Sequence, residues 1–333
     1  MATDMTQSSS QAHPLPLRPK TPHLVYLDLN KWIDLAHAAS GTERGHQHDA
    51  NLRTATELVR QGTVLFPLSS AHFMEVAKIG NDTQRRTLAQ LMVMLSQGWF
   101  LSSPGFLIHE ELRRAIASQL NLQAPPGASA AALTRNIMEA IANPDSIGGD
   151  DIVTDLLSQS PWMLEDFLAT ARVGGGFLDN WQRYAAEHEA GRVLRGDLTR
   201  EMRKRAYCVM VTIGIQDRLC ATLSEFGLTM APVMEELGPD GWIALLEAVP
   251  FLDVEINLHV ERNEHHDRPI QPNDELDLGF LSIAIPYCHT VVTEKFWTSL
   301  ARRLKLDRKY ETKVCSDLTE ALLELRGDQL QKP

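Results

Sequence analysis

Five acidic residues stand where short apolar runs give way to helical stretches: Asp28, Glu75, Asp274, Asp277 and Glu294. Carboxylate oxygens are hard ligands. Several of them at one point suit Mg²⁺ or Mn²⁺, cations that retain waters and share substrate phosphates. Two such cations about 3.5–4 Å apart activate water and stabilise the leaving oxygen in phosphodiester cleavage. Without a cation, crowded carboxylates repel one another and their pKa values rise. The chemistry therefore depends on whether the chain brings these residues to one edge of one sheet.

The first of them follows Leu24-Val-Tyr-Leu27, an apolar run bounded by Pro22 that reads as a short buried strand. It delivers Asp28 at its carboxyl end, with Asn30 two residues on and a helix expected over residues 32–39. Ligand sites of open α/β sheets lie at the carboxyl ends of strands, and Asp also caps helices well; both roles are open to Asp28. A second strand over 63–67 leads to a helix opened by Ser69 or Ser70 and carrying Glu75 in its first turns. Helices are expected over 50–61 and 83–97, the latter with Leu88, Leu91, Met92 and Leu95 on one stripe, and a short strand over 99–101. Near the other end, an apolar helix over 277–285 opens behind Asp274 and Asp277. A strand over 289–293 then runs into Glu294 and a basic amphipathic helix over 295–304. A strand over 313–315 and a helix over 317–326 complete the pattern.

Between these parts the character changes. Helical signals dominate over 110–120, 130–142, 152–157, 162–171, 177–189 and 198–225, separated by Pro- and Gly-rich breaks, and a helix over 242–249 leads back to the α/β part. The organisation expected is a disordered tail over 1–22, rich in Ser, Gln and Pro. A discontinuous α/β domain over 23–104 and 242–327 then surrounds an all-helical insertion lobe over 105–241.

Read together, these segments resemble a family. Val25-Tyr-Leu-Asp28-Leu-Asn30 is similar to the opening motif of PIN-domain nucleases. Pro67-Leu-Ser-Ser-Ala-His-Phe-Met-Glu75 is similar to their second motif, and the Asp277-Leu-Gly-Phe-Leu-Ser-Ile-Ala helix to their third. Thr293-Glu294-Lys-Phe296 resembles their closing segment, with Glu in place of the usual Asp and one residue out of register. The resemblance covers the two flanking parts and leaves the middle unmatched. It implies a PIN-like parallel sheet flanked by helices, and a Mg²⁺- or Mn²⁺-dependent endonuclease acting most often on single-stranded RNA. Carried over, Asp28, Glu75 and Asp277 hold metal and Asn30 supports the first ligand. Thr293 orients the site, and either Glu294 or Asp274 completes it; Asp274 also stands where it could simply cap its helix.

Composition sets the remaining bounds. Hydrophobic content of 44% and charged content of 23% in 333 residues are those of a globular protein. No apolar window has transmembrane length and no export signal is visible, so the expectation is a cytoplasmic protein without a membrane partner. Cys208, Cys220, Cys288 and Cys315 form no CxxC pair and signal neither zinc nor a disulfide framework. A net charge of −11 argues against coating nucleic acid non-specifically. Arg302, Arg303 and Lys305 nonetheless cluster just beyond Glu294, either as a solvated helix face or as a rim that tracks phosphates. A strand-borne Asp also begins haloacid-dehalogenase-type phosphatases, but those need a second Asp where this chain has Asn30. His259, His265, His266 and Asp267 could ligate a transition metal but read as a polar loop, and His72 reads as a partly buried histidine. The alternative to a nuclease is a catalytically inactive PIN-like module that binds RNA or a regulatory protein partner.

Overall fold

The computed structural model describes residues 21–123, 131–141, 160–170 and 175–330, with positions 19, 125 and 172. Nearly all of the expected tail, and the whole of the expected helix over 152–157, lie outside the described residues.

The strand β1, His23–Leu27, is buried along most of its length. Its side chains alternate between two apolar layers. Val25 and Leu27 enter one core with Trp32, Leu58, Phe66 and Leu88, and Leu24 and Tyr26 enter another with Phe280, Ile283, Trp297 and Leu300. A strand covered on both faces carries a continuous apolar run, which is why four apolar residues in a row mark it in the sequence. The strand β2, Val64–Leu65, pairs with β1 in parallel, with His23 opposite Val64. Two short strands, β3 (Phe100–Leu101) and β4 (Leu133–Thr134), form a separate antiparallel pair. The strand β5, Thr290–Val292, flanks β1 on its other side, with Leu27 opposite Val292, and β6, Lys313–Cys315, pairs with β5. The result is an α/β structure with a four-stranded parallel sheet of order β2-β1-β5-β6, helices packing on both faces. The two segments flanking the expected insertion share this one sheet.

Several elements differ from expectation. The first helix begins at Leu29 rather than 32, because Asp28 caps it. A 3₁₀ helix, Glu43–His48, stands between the first helix and the helix expected over 50–61. β3 leaves the main sheet, touching it only through a parallel bridge from Leu68 to Phe100. The helix expected over 130–142 is largely displaced by β4, and among the described residues there only Ile137–Ile141 is helical. The helix expected over 198–225 is two, Arg200–Gly214 and Gln216–Glu225, broken at Ile215. Met230–Glu247 is kinked at Gly238, whose φ of 63° suits glycine alone.

The largest miss is the helix Pro250–Asn263, opened by Pro250 in the first turn, where Pro is well tolerated. It is buried almost all round, so no apolar stripe announces it. His259, expected in a loop, is inside this helix, stacked on Tyr207 with ring centroids 3.7 Å apart. The same helix joins two cores: Val254 and Leu258 face the sheet layer, while Phe251, Leu252 and Ile256 join a third cluster with Leu112, Leu219 and Trp242. The helix Pro161–Thr170, expected within the insertion, places Leu164 and Leu168 in the core of the sheet layer instead. Among the described residues, no helix is long and apolar enough to cross a membrane.

Candidate functional site

The chain leaves β1 toward β2 on one side, while β5 leads to β6 on the other. The carboxyl ends of β1 and β5 therefore flank the point where the winding reverses, the place where open α/β sheets bind ligands. Asp28 follows β1 directly, and Thr293 and Glu294 follow β5. The ladder continues past the strand ends, with Asp28 N–H donating to Val292 O at 2.9 Å and Thr293 N–H to Cys315 O at 2.9 Å. This backbone pairing sets the two strand ends side by side.

Side-chain bonds then cross between them. Thr293 Oγ1 donates to Asp28 Oδ2 at 3.3 Å, and Asn30 Nδ2 donates to Glu294 Oε1 at 3.0 Å. Asp28 also caps the first helix through a long contact, 3.4 Å, from Asn30 N–H. The cap of the first helix and the acidic group thus share one carboxylate. Asp277, in the first turn of the helix Asp274–Tyr287, accepts a 2.8 Å hydrogen bond at Oδ2 from the indole N–H of Trp297. Glu75 lies near the end of the helix Ser70–Val76, and its buried Oε2 has no hydrogen-bond partner.

His72 holds that helix in place. Ser69 N–H donates to His72 Nδ1 at 3.0 Å, so the Nε2–H donates to Leu27 O at 2.7 Å. One ring thereby ties the end of β1 to the start of the helix that carries Glu75. His72 is fully buried rather than partly so, and burial pushes its pKa down to about 4, which keeps it neutral. With both nitrogens engaged it serves as a spacer.

Electrostatics shows that the carboxylates share a neighbourhood. Burial, then the charge of Asp28, pushes the Glu75 carboxyl up to about 8. Asp277 is likewise pushed up to about 8 by burial, then by Asp28, with Glu75 and Glu294 adding to the effect. Asp28 is raised by burial and by Glu294. Every pair among Asp28, Glu75, Asp277 and Glu294 interacts unfavourably. Crowding of this kind is relieved by protonation or by a cation.

Asp274 is held elsewhere. Arg268 grips it in a bidentate fork, Nη1 to Oδ2 at 2.7 Å and Nη2 to Oδ1 at 2.6 Å, and Gln271 N–H adds a third bond at 3.0 Å. The structure therefore brings Asp28, Glu75, Asp277 and Glu294 together and gives Asp274 to the loop that precedes its helix. The same Arg268 lies over the Phe296 ring at 4.1 Å and within the field of Asp277 and Glu294. The basic residues expected at the rim, Arg302, Arg303 and Lys305, are all exposed; Arg302 donates from Nε to Val314 O at 2.9 Å and Arg303 pairs with Glu261.

Clustered carboxylates and the orphaned Glu75 Oε2 fit Mg²⁺ or Mn²⁺. Among the described residues, however, no three His, Cys, Asp or Glu side chains already close on one point. Sequence reasoning missed Trp297 and Arg268, the residues that fix Asp277 and remove Asp274. The signal for Trp297 was an indole one helical turn beyond Thr293, available in the sequence but indistinguishable there from a core aromatic. Compared with known proteins, the chain matches no family model, no curated protein and no solved structure.

Proposed function

We propose that this protein is a PIN-like, Mg²⁺- or Mn²⁺-dependent nuclease that hydrolyses phosphodiester bonds, with single-stranded RNA as its substrate. The observation that carries this reading is the convergence of four mutually repelling carboxylates, Asp28, Glu75, Asp277 and Glu294, at the switch point of a parallel sheet. In this reading Asp28, Glu75 and Asp277 hold the cation, which when bound supplies an activated water and neutralises charge on the leaving oxygen. Thr293 holds one oxygen of Asp28, leaving the other toward the helix end, and Asn30 holds Glu294 beside it. In this reading Glu294, one residue out of register after Thr293, acts from the outer shell. The choice of RNA comes from the family resemblance.

The second reading is a catalytically inactive PIN-like module that binds RNA or a protein. What favours it is that no three of the acidic side chains yet meet on one point. Purified protein incubated with mixed-sequence single-stranded RNA and DNA, each with Mg²⁺ or Mn²⁺, separates the two. Cleavage that falls at least about a hundredfold in Asp28→Asn and in Asp277→Asn supports the nuclease, because metal activation of water lowers the barrier by several kcal/mol. Cleavage of neither substrate by the wild type leaves the silent module. Equal cleavage by wild type and Asp28→Asn places the site elsewhere.

A further inference from the structure

The segment Thr293–Trp297 touches most of the acidic centre. Thr293 donates to Asp28, Glu294 accepts from Asn30, and Trp297 donates to Asp277. The first two contacts lie at the strand end. The third reaches back from the first turn of the helix Lys295–Arg303 to a helix that precedes β5 in the chain. Trp297 is fully buried, packed in the layer of Leu300, Phe280 and Ile283, with the Phe296 ring edge-on at 5.0 Å. An indole so enclosed has little rotamer freedom, so its N–H direction is set by packing. An N–H bond to a carboxylate is charge-assisted and stronger than a neutral one. The bond holds Oδ2, which leaves Oδ1 as the oxygen open to a cation.

We infer that Trp297 is a positioning residue of the acidic centre. Its indole N–H orients Asp277 so that one carboxylate oxygen is presented to the bound dication. This inference rests on the metal-centre reading above and adds a residue to it. Nothing in the inference requires Trp297 to touch substrate. Partners that orient metal ligands in this way are worth about 10–100-fold in metal affinity.

The test is Mn²⁺ binding, measured by titration calorimetry or electron paramagnetic resonance on the full chain without substrate, for wild type and Trp297→Phe. Phenylalanine keeps an aromatic ring in the layer and removes the N–H. Leu300→Val, a change to a buried neighbour on the same helix, controls for packing alone. The expected result is that Trp297→Phe weakens Mn²⁺ binding about 10–100-fold at a temperature where it remains folded, while Leu300→Val binds as wild type. In an Asp277→Asn background, Trp297→Phe should then change Mn²⁺ affinity little, because the carboxylate it orients is gone. If wild type binds Mn²⁺ and Trp297→Phe binds equally well, the inference is overturned and the metal reading survives. An equal loss in Leu300→Val also overturns it, by showing a packing effect. If wild type binds no Mn²⁺, the metal reading itself falls, and this inference with it.

Discussion

Glu111 shows what a buried carboxylate does outside the acidic centre. It lies on the helix Pro104–Gln119, accepts only a long 3.5 Å contact from Phe251 N–H, and its Oε1 has no partner. Burial pushes its pKa up to about 8. Between the ordinary value and 8 the folded state keeps a proton that the unfolded state has released, so stability falls as pH rises through that window. Above about 8 both states are ionised and the loss is complete. Glu111→Gln should therefore leave the melting temperature nearly unchanged at pH 5 and raise it at pH 9. Thermal melts of both proteins at the two pH values check this, and a gain confined to pH 5 would reverse the sign. Within the centre, Glu294→Gln should lower cleavage by about 10–100-fold, less than Asp28→Asn. Its place one residue out of register after Thr293 makes it, in the proposed reading, an outer-shell group. Single-turnover rates on RNA would show it, and a loss equal to that of Asp28→Asn would move Glu294 into direct contact with metal.

At the level of elements, the centre is built from ends: two strand ends, one short helix and the first turn of another. Ends are set by neighbours more than by their own residues, and His72 is the clearest case. Its ring bridges the last carbonyl of β1 and the first turn of the helix carrying Glu75. His72→Ala would strand the carbonyl of Leu27 and the N–H of Ser69, each worth about 1–3 kcal/mol when buried without a partner, and would open a cavity as well. A loss of about 3 kcal/mol or more in urea unfolding is expected. A loss below about 1 kcal/mol would mean that the rest of the sheet holds the helix without this tether. The helix Pro250–Asn263 is a second such case at larger scale. Asp253 on it accepts from Tyr310 at 2.7 Å and pairs with Lys309 at 2.8 Å, fastening the helical cluster to the sheet layer.

For the whole molecule, crowding of acid at one edge is a source of instability that, in the proposed reading, a bound cation removes. A ligand that binds only the folded state stabilises it by mass action, about 2.7 kcal/mol at a hundred times its dissociation constant. Saturating Mg²⁺ or Mn²⁺ should therefore raise the wild-type melting temperature and leave Asp28→Asn and Asp277→Asn nearly unmoved. In chelator at pH 9, above the value of about 8 to which the Asp277 carboxyl is pushed, Asp277→Asn should melt above wild type, since it then removes one charge from a buried, repelling set. Differential scanning calorimetry with and without metal reads both effects. An equal metal response in wild type and both variants would show that the cation binds elsewhere.

The order of chemistry-bearing residues was legible because strands and helix starts leave local traces. An apolar run ended by Asp28, Ser69 ahead of a helix with Glu75, and a valine run ended by Thr293 and Glu294 are short-range patterns, and burial on both faces of β1 explains the first of them. Those patterns carried the family resemblance, and it was the resemblance that implied a parallel sheet flanked by helices with acidic residues at its carboxyl edge. They could not say which acids meet. Asp274 and Asp277 are three residues apart on one helix, and only the three-dimensional arrangement gives one to Arg268 and the other to Trp297. They could not show the helix Pro250–Asn263 either, because an element buried on all sides has no polar face to set its period. Local sequence encodes the strand ends, through backbone preference and apolar period. Which side chains meet there depends on partners hundreds of residues away, as Thr293 and Asp28 are, and is settled by packing alone.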